Sequence, residues 1–126
     1  MARNGVVKVV IADDNDHFRS ALEAILEGER EISVVGRATD GEEAVRLVAE
    51  LEPDVVLMDL SMPVLDGFLA TEEIQEKSPG TQVLVLTGSP ERADMARAEA
   101  VGAAGYVTKD MIASDLVAAI RAVAGR

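Results

Sequence analysis

The chain has 126 residues, of which 48% are hydrophobic and only 2% aromatic, and this composition fits a single domain with an aliphatic core. It contains no cysteine, which excludes disulfides, thiolate metal sites and a cysteine nucleophile. The formal net charge of −11 argues against nucleic-acid binding by this segment, because phosphate contacts need clustered Lys and Arg. No apolar run approaches the ~20 residues of a membrane span, and no secretory signal is recognisable, so we expect a cytoplasmic protein without membrane contacts.

Short apolar segments alternate with segments of helical periodicity along the whole chain. The predicted strands are 6–12, 32–35, 55–58, 83–86 and 105–108. The predicted helices contain residues 18–26, 39–51, 68–77, 90–101 and 112–124. On the first of these helices, the residues expected to face inward are Phe18, Ala21, Leu22, Ile25 and Leu26. Repeated βα units predict an α/β domain with a parallel sheet covered by helices on both faces, in the flavodoxin-like strand order 2-1-3-4-5.

Polar side chains stand where the predicted strands end. Asp13 and Asp14 follow the first strand, and Asp59 follows the third. Thr87 follows the fourth strand and Lys109 the fifth. The carboxyl ends of parallel strands share one edge of the sheet, and strands one and three are neighbours in the predicted order. Three carboxylates at that point repel one another unless a cation binds them, and oxygen ligands suit Mg²⁺, with Mn²⁺ as the alternative.

Such a set of groups suits phosphoryl transfer. A metal ion, an ammonium and a hydroxyl could together neutralise the charge of a phosphoryl group. Asp59 would then be either an attacking carboxylate, which forms an aspartyl-phosphate, or a further metal ligand. Each residue also has a simpler interpretation: Asp13 and Asp14 as helix caps, Thr87 as a β-branched strand residue and Lys109 as a surface lysine.

Five stretches of the chain resemble the receiver domain of two-component response regulators. In chain order they are Ile11-Ala12-Asp13-Asp14-Asn15, Asp54-Val55-Val56-Leu57-Met58-Asp59-Leu60-Ser61-Met62-Pro63, Asp66-Gly67, Leu86-Thr87-Gly88 and Gly105-Tyr106-Val107-Thr108-Lys109-Asp110. They extend over the whole chain at the spacing of that family.

The resemblance implies a phosphorylation site that binds a metal ion. Asp59 would be phosphorylated by a sensor histidine kinase. Asp14, Asp59 and the backbone carbonyl of Ser61 would bind Mg²⁺ directly, and Asp13 would act mainly through water. A domain of this kind is not expected to be an enzyme, apart from assisting its own phosphorylation and dephosphorylation.

The resemblance also implies a conformational switch. Thr87 would hydrogen-bond the phosphoryl group and Lys109 would pair with it. Tyr106 would turn inward as Thr87 moves, and so change the face formed by the fourth helix, the fifth strand and the fifth helix. Homodimerisation is left open, because receivers differ in the face that they use.

The chain departs from the family pattern at Asp110, where many receivers have a proline. A cis bond is not expected before a non-proline residue, so the loop itself has to place Lys109. Two features, Lys109-Asp110 and the ending 116–123, resemble the subgroup that usually carries a C-terminal helix-turn-helix DNA-binding domain. We expect residues 1–126 to be one receiver domain, either standing alone or cut at a domain boundary, and the final residues Ala124-Gly125-Arg126, where a linker would begin, favour the second.

Two other classes of function are alternatives. One is a pseudo-receiver that acts as a constitutive protein-binding module. The other is a flavodoxin-like cofactor binder or small hydrolase, which the acidic residues 13–16 disfavour because a phosphate-binding loop would be rich in Ser, Thr and Gly. His17, the only histidine, is assigned no role.

Overall fold

A computed structural model describes residues 5–62, 64–88 and 91–125. Its strands are β1 (Val7–Ala12), β2 (Ile32–Ala38), β3 (Val55–Asp59), β4 (Gln82–Thr87) and β5 (Gly105–Thr108). Its α-helices are α1 (Asp16–Glu27), α2 (Gly41–Leu51), α3 (Gly67–Lys77), α4 (Arg92–Ala100) and α5 (Ile112–Ala124). A single 3₁₀ turn, Lys109–Met111, connects β5 to α5.

Within the described residues the strands form one parallel sheet in the order β2-β1-β3-β4-β5. The predicted flavodoxin-like α/β fold and strand order are therefore confirmed. Ala12 pairs with Met58, so the carboxyl ends of β1 and β3 lie side by side. This pair of strands is the switch point of the sheet, because the chain continues from β1 to β2 on one side and from β3 to β4 on the other.

Two apolar clusters cover the two faces of the sheet, and β3 contributes to both. Val55 and Leu57 belong to the cluster with α1 and α5, whereas Val56 and Met58 belong to the cluster with α2, α3 and α4. Because successive side chains of a strand point to opposite faces, a strand covered on both sides is continuously apolar. The unbroken apolar run before Asp59 follows from this double coverage.

The structure corrects three details of the sequence prediction. β2 continues to Ala38, three residues beyond the predicted end, because Gly36, Arg37 and Ala38 pair with the last residues of β1. Ala21 is exposed on α1, contrary to its predicted inward orientation. The 3₁₀ turn before α5 was not predicted.

Helix caps set the start of two helices near the carboxyl edge of the sheet. Asp40 accepts a hydrogen bond from the Glu43 N–H at 2.8 Å, and Asp66 accepts one from the Leu69 N–H at 2.9 Å. Asp40 and Asp66 are therefore the N-caps of α2 and α3. The predicted helix start at Pro90 lies outside the described residues, and α4 is described from Arg92.

No helix in the described ranges is long and apolar enough to cross a membrane.

Candidate functional site

Three aspartates converge at the switch point of the sheet. Asp13 follows β1 and Asp59 is the last residue of β3, and the pairing of the two strands places these positions next to each other. Asp13, Asp14 and Asp59 each offer a carboxylate oxygen, and these three oxygens lie within 4.8 Å of one another. Asp13 is fully buried and Asp59 is 4% exposed, whereas Asp14 is open to solvent.

The loop after β1 orients Asp13 into the site. The N–H of Asn15 donates to Asp13 Oδ1 at 2.8 Å, and the Arg19 guanidinium donates to the Asp13 carbonyl at 2.8 Å. The side chain of Asn15 is the N-cap of α1, accepting from the Phe18 N–H at 2.9 Å. The interpretation of Asp13 or Asp14 as that cap is therefore wrong, and both carboxylates remain available to the site.

Lys109 reaches the aspartates from the other side of the crevice. Its Nζ lies 3.2 Å from Asp59 Oδ1 and 3.9 Å from Asp13 Oδ2. The residue opens the 3₁₀ turn directly after β5, and no peptide bond among the described residues, including Lys109–Asp110, is cis. The loop with Asp110 in place of a proline therefore places Lys109 beside the carboxylates without a cis peptide bond, as expected from the sequence.

Burial dominates the electrostatics of both inner carboxylates. It raises the pKa of Asp13, while the Asn15 N–H opposes this shift and the charge of Asp59 adds to it. Burial also raises the pKa of Asp59, against the charge of Lys109 and the N–H of Ser61, which donates to Oδ1 at 3.3 Å. The single ammonium of Lys109 therefore offsets only part of the negative charge of the two carboxylates.

The site has the chemistry of a divalent cation site. Asp13 Oδ2 is buried without a hydrogen-bond partner in the described residues, and its 3.9 Å separation from Lys109 Nζ is an ion-pair distance only. A buried charged oxygen without a hydrogen bond is costly, and a cation would remove that cost. With Asp14 and Asp59 it forms a set of hard oxygen ligands beside open solvent, which suits Mg²⁺.

The other predicted residues lie around this centre at different depths. Thr87 is the last residue of β4 and is buried, and it pairs with Thr108, the residue before Lys109. Ser61 touches Asp59 through its N–H. Tyr106 is 52% exposed and borders a cleft of about 360 Å³ between α4 and β5, away from the carboxylates.

The structure adds a residue whose part the sequence did not reveal. An added Cβ at Gly67 would lie 2.7 Å from Leu60 Cα and closer still to the Asp59 carbonyl oxygen. The Gly67 N–H also donates to the Leu60 carbonyl at 3.2 Å. The resemblance includes the Asp66-Gly67 pair but assigns it no role. Its glycine lets the start of α3 lie directly against the end of β3, where Asp59 is placed.

Fold and site together define a doubly wound α/β domain with a cluster of acids and one lysine at its switch point. The chain belongs to the response regulator receiver domain family, whose pattern matches residues 9–121. It is 41% identical over 118 residues to the transcriptional regulatory protein LnrK of Bacillus subtilis, covering 94% of this chain and 54% of that protein. It is 39% identical to the response regulator GacA of Pseudomonas aeruginosa, covering 94% of this chain and 55% of that protein.

Solved structures agree with this assignment. The response regulator domain of Thermotoga maritima CheB superposes with a TM-score of 0.90 at 32% identity, covering 96% of this chain and 98% of that one. A LuxR-family two-component response regulator from Aurantimonas gives a TM-score of 0.90 at 35% identity, covering 96% and 87%. The chain spans about half the length of the curated relatives LnrK and GacA.

Proposed function

We propose that this domain is the phospho-accepting receiver of a two-component response regulator and that Asp59 takes a phosphoryl group from a sensor histidine kinase. The observation that carries the proposal is the position of the Asp59 carboxylate, which is buried between two further aspartates and 3.2 Å from the Lys109 ammonium. A buried carboxylate beside a cation and a metal-type ligand set is suited to nucleophilic attack on phosphorus.

The chemical step is a displacement at phosphorus. Both contacts described above, from Ser61 and from Lys109, reach Asp59 Oδ1, so we assign the attack to Oδ2. An O–P bond forms as the P–N bond of the donor phosphohistidine breaks, and the imidazole nitrogen keeps the electron pair and takes a proton from solvent. Lys109 and the Thr87 hydroxyl would then hold phosphoryl oxygens, which places charge and a donor where negative charge develops.

The same residues are assigned to the metal ion. Asp14, Asp59 and the carbonyl of Ser61 would bind Mg²⁺ directly and Asp13 mainly through water, with Mn²⁺ as the alternative ion. When bound, the ion supplies positive charge that offsets the charge of the phosphoryl oxygens. The buried Asp13 Oδ2 supports this assignment, because that oxygen lacks the hydrogen bond that buried polar atoms normally have.

Phosphorylation is proposed to change the face formed by α4, β5 and α5. Of residues 92–100 in α4 only Ala98 is buried, so few apolar contacts oppose a shift of this helix. The cleft beside Tyr106 leaves room for its ring to turn inward as Thr87 moves toward the phosphoryl group. Phosphate contacts that differ between the two arrangements would shift their populations.

The output is proposed to be transcription control through an effector domain of the helix-turn-helix type. The curated relatives named as transcriptional regulators are about twice as long as the matched segment, which leaves room for a second domain. A receiver does not fix its output, because the chain is also 38% identical to part of a Myxococcus xanthus protein-glutamate methylesterase. Homodimerisation and a cytoplasmic setting belong to the same proposal.

Phosphorylation with Mg²⁺ and acetyl phosphate tests the proposal, using intact mass as the readout. We expect the parent protein to gain one phosphoryl group and Asp59→Asn to gain none. Asp66→Asn is the matched control, because asparagine caps a helix as well as aspartate does and this residue lies outside the acid cluster. Equal incorporation in the parent and in Asp59→Asn would refute the assignment.

A Mg²⁺ titration separates a working receiver from a pseudo-receiver. An ion that binds only the folded state stabilises it by about 2.7 kcal/mol at a concentration 100 times the Kd. We expect Mg²⁺ to raise the melting temperature of the parent and to have a smaller effect on Asp14→Asn. A parent protein with an unchanged melting temperature would instead support a protein-binding module without a metal site.

A further inference from the structure

Lys109 has a third neighbour besides the two carboxylates. Its Nζ lies 4.6 Å from the centroid of the Phe18 ring, within the range of a cation–π contact. The lysine side chain is 30% exposed, so solvent remains an alternative environment for the ammonium. Holding a long, flexible side chain in one position costs rotamer entropy, and each additional contact offsets part of that cost.

Phe18 itself is fixed from two directions. Its N–H donates to the Asn15 cap in the first turn of α1, in the loop that also carries Asp13 and Asp14. Its ring is partly buried and packs against the apolar cluster between the sheet, α1 and α5. The ring therefore presents one face to Lys109 from a position set by the core.

We propose that Phe18 is a positioning residue for phosphoryl transfer, whose ring holds the Lys109 ammonium beside Asp59. This inference rests on the proposed function and adds a residue that touches neither the phosphoryl group nor the metal ion. The ring attracts the ammonium but carries no net charge, whereas a third carboxylate would neutralise part of the lysine's charge. The charge of Lys109 therefore remains available to the phosphoryl oxygens. In the phosphorylated state the same contact limits the movement of the ammonium away from the site.

Substitutions that separate the aromatic face from apolar volume test this role. Phe18→Leu keeps an apolar side chain but removes the ring, whereas Phe18→Tyr keeps the ring and can place its hydroxyl toward solvent. We expect Phe18→Leu to lower the phosphorylation rate by roughly two- to fivefold, the size of an exposed cation–π contact. Phe18→Tyr is expected to keep the parent rate. Phe18→Met provides a second variant without a ring, and urea unfolding shows which variants are folded.

A double-mutant cycle distinguishes positioning from packing. If Phe18 acts through the lysine, Phe18→Leu changes the rate in the parent but not in a Lys109→Gln background. An equal rate loss in both backgrounds would overturn the inference, because Phe18 would then act through packing of α1. An unchanged rate in Phe18→Leu would overturn it as well.

An NMR measurement on the protein without metal or phosphoryl donor gives a readout independent of activity. The ring current of Phe18 should shift the ε-methylene protons of Lys109 upfield in the parent and in Phe18→Tyr. The shift should be lost in Phe18→Leu, and an unaltered spectrum would show that the contact does not exist in solution. A parent protein without Asp59-dependent phosphorylation would refute the proposed function, while this spectrum would still decide whether Phe18 holds the lysine.

Discussion

Replacing Gly67 with alanine would place a methyl group against the backbone that carries Asp59. The new Cβ would lie 2.7 Å from Leu60 Cα, whereas ordinary contacts begin at 3.4 Å, so the backbone would have to move by at least 0.7 Å. The obstructing atoms belong to the main chain and cannot rotate away. Overpacking of this kind costs typically 1–3 kcal/mol, and we expect about 2–3 kcal/mol here.

Gly28→Ala is the matched control, because the same substitution at this position is expected to raise the stability of the protein instead of lowering it. Gly28 has a φ of −75° and nothing within 4 Å of an added Cβ. Alanine at such a position stabilises by about 0.4–1 kcal/mol, chiefly by restricting the unfolded chain.

Urea unfolding followed by circular dichroism measures both effects as shifts of the midpoint at constant slope. In thermal unfolding, we expect the melting temperature of Gly67→Ala to fall by about 10 °C and that of Gly28→Ala to rise by a few degrees. Phosphorylation of Gly67→Ala should also slow, since a misplacement of about 1 Å can cost up to about 100-fold in rate. If Gly67→Ala is as stable as the parent, the close approach of α3 to β3 is not present in solution.

Three further predictions concern charge, backbone strain and the attachment of α4. Burial raises the pKa of Asp59 in the folded state, so that state binds more protons and stability falls as pH rises above the ordinary value of about 3.9. Asp59→Asn should therefore stabilise the metal-free protein at pH 7 and have little effect at pH 3, and a loss of stability at pH 7 would contradict this. Val64 has a φ of 69° and is 75% exposed, so Val64→Gly should stabilise by about 0.5–1 kcal/mol in urea unfolding, whereas Val64→Ala should not. Arg97 lies 4.1 Å from the ring centroid of Phe68, so Arg97→Ala should speed amide exchange in α4 roughly two- to fivefold, and the exposed Arg92→Ala in the same helix should not.

The order of apolar and polar segments was sufficient to predict the sheet and the place of the site. A buried parallel strand must be apolar on both faces, so the run before Asp59 is visible in the sequence without any partner strand. The acids and the lysine were found for the same reason, since polar residues directly after such strands must lie at one edge. The structure brings Asp13, Asp14, Asp59 and Lys109 together as that reasoning required.

Contacts between segments that are far apart in the chain cannot be predicted from these local patterns. Phe18 fits the apolar face of α1, and periodicity shows only that its side chain faces the core side, not that Lys109 lies over its ring. The extension of β2 depends on pairing with β1, because residues 36–38 include no large apolar or β-branched side chain that would indicate a strand. The identity of the α1 cap among four neighbouring polar residues was likewise settled by geometry, at Asn15.

The sequence by itself determined the fold class, the strand order and the edge at which the chemistry-bearing residues stand. These properties follow from local periodicity and from the rules by which parallel strands connect. Only the tertiary structure decided which carboxylate oxygen lacks a hydrogen bond, how Lys109 is held and why position 67 must be glycine. Those properties depend on distances of a few ångström between segments far apart in the chain, and no local pattern encodes such distances.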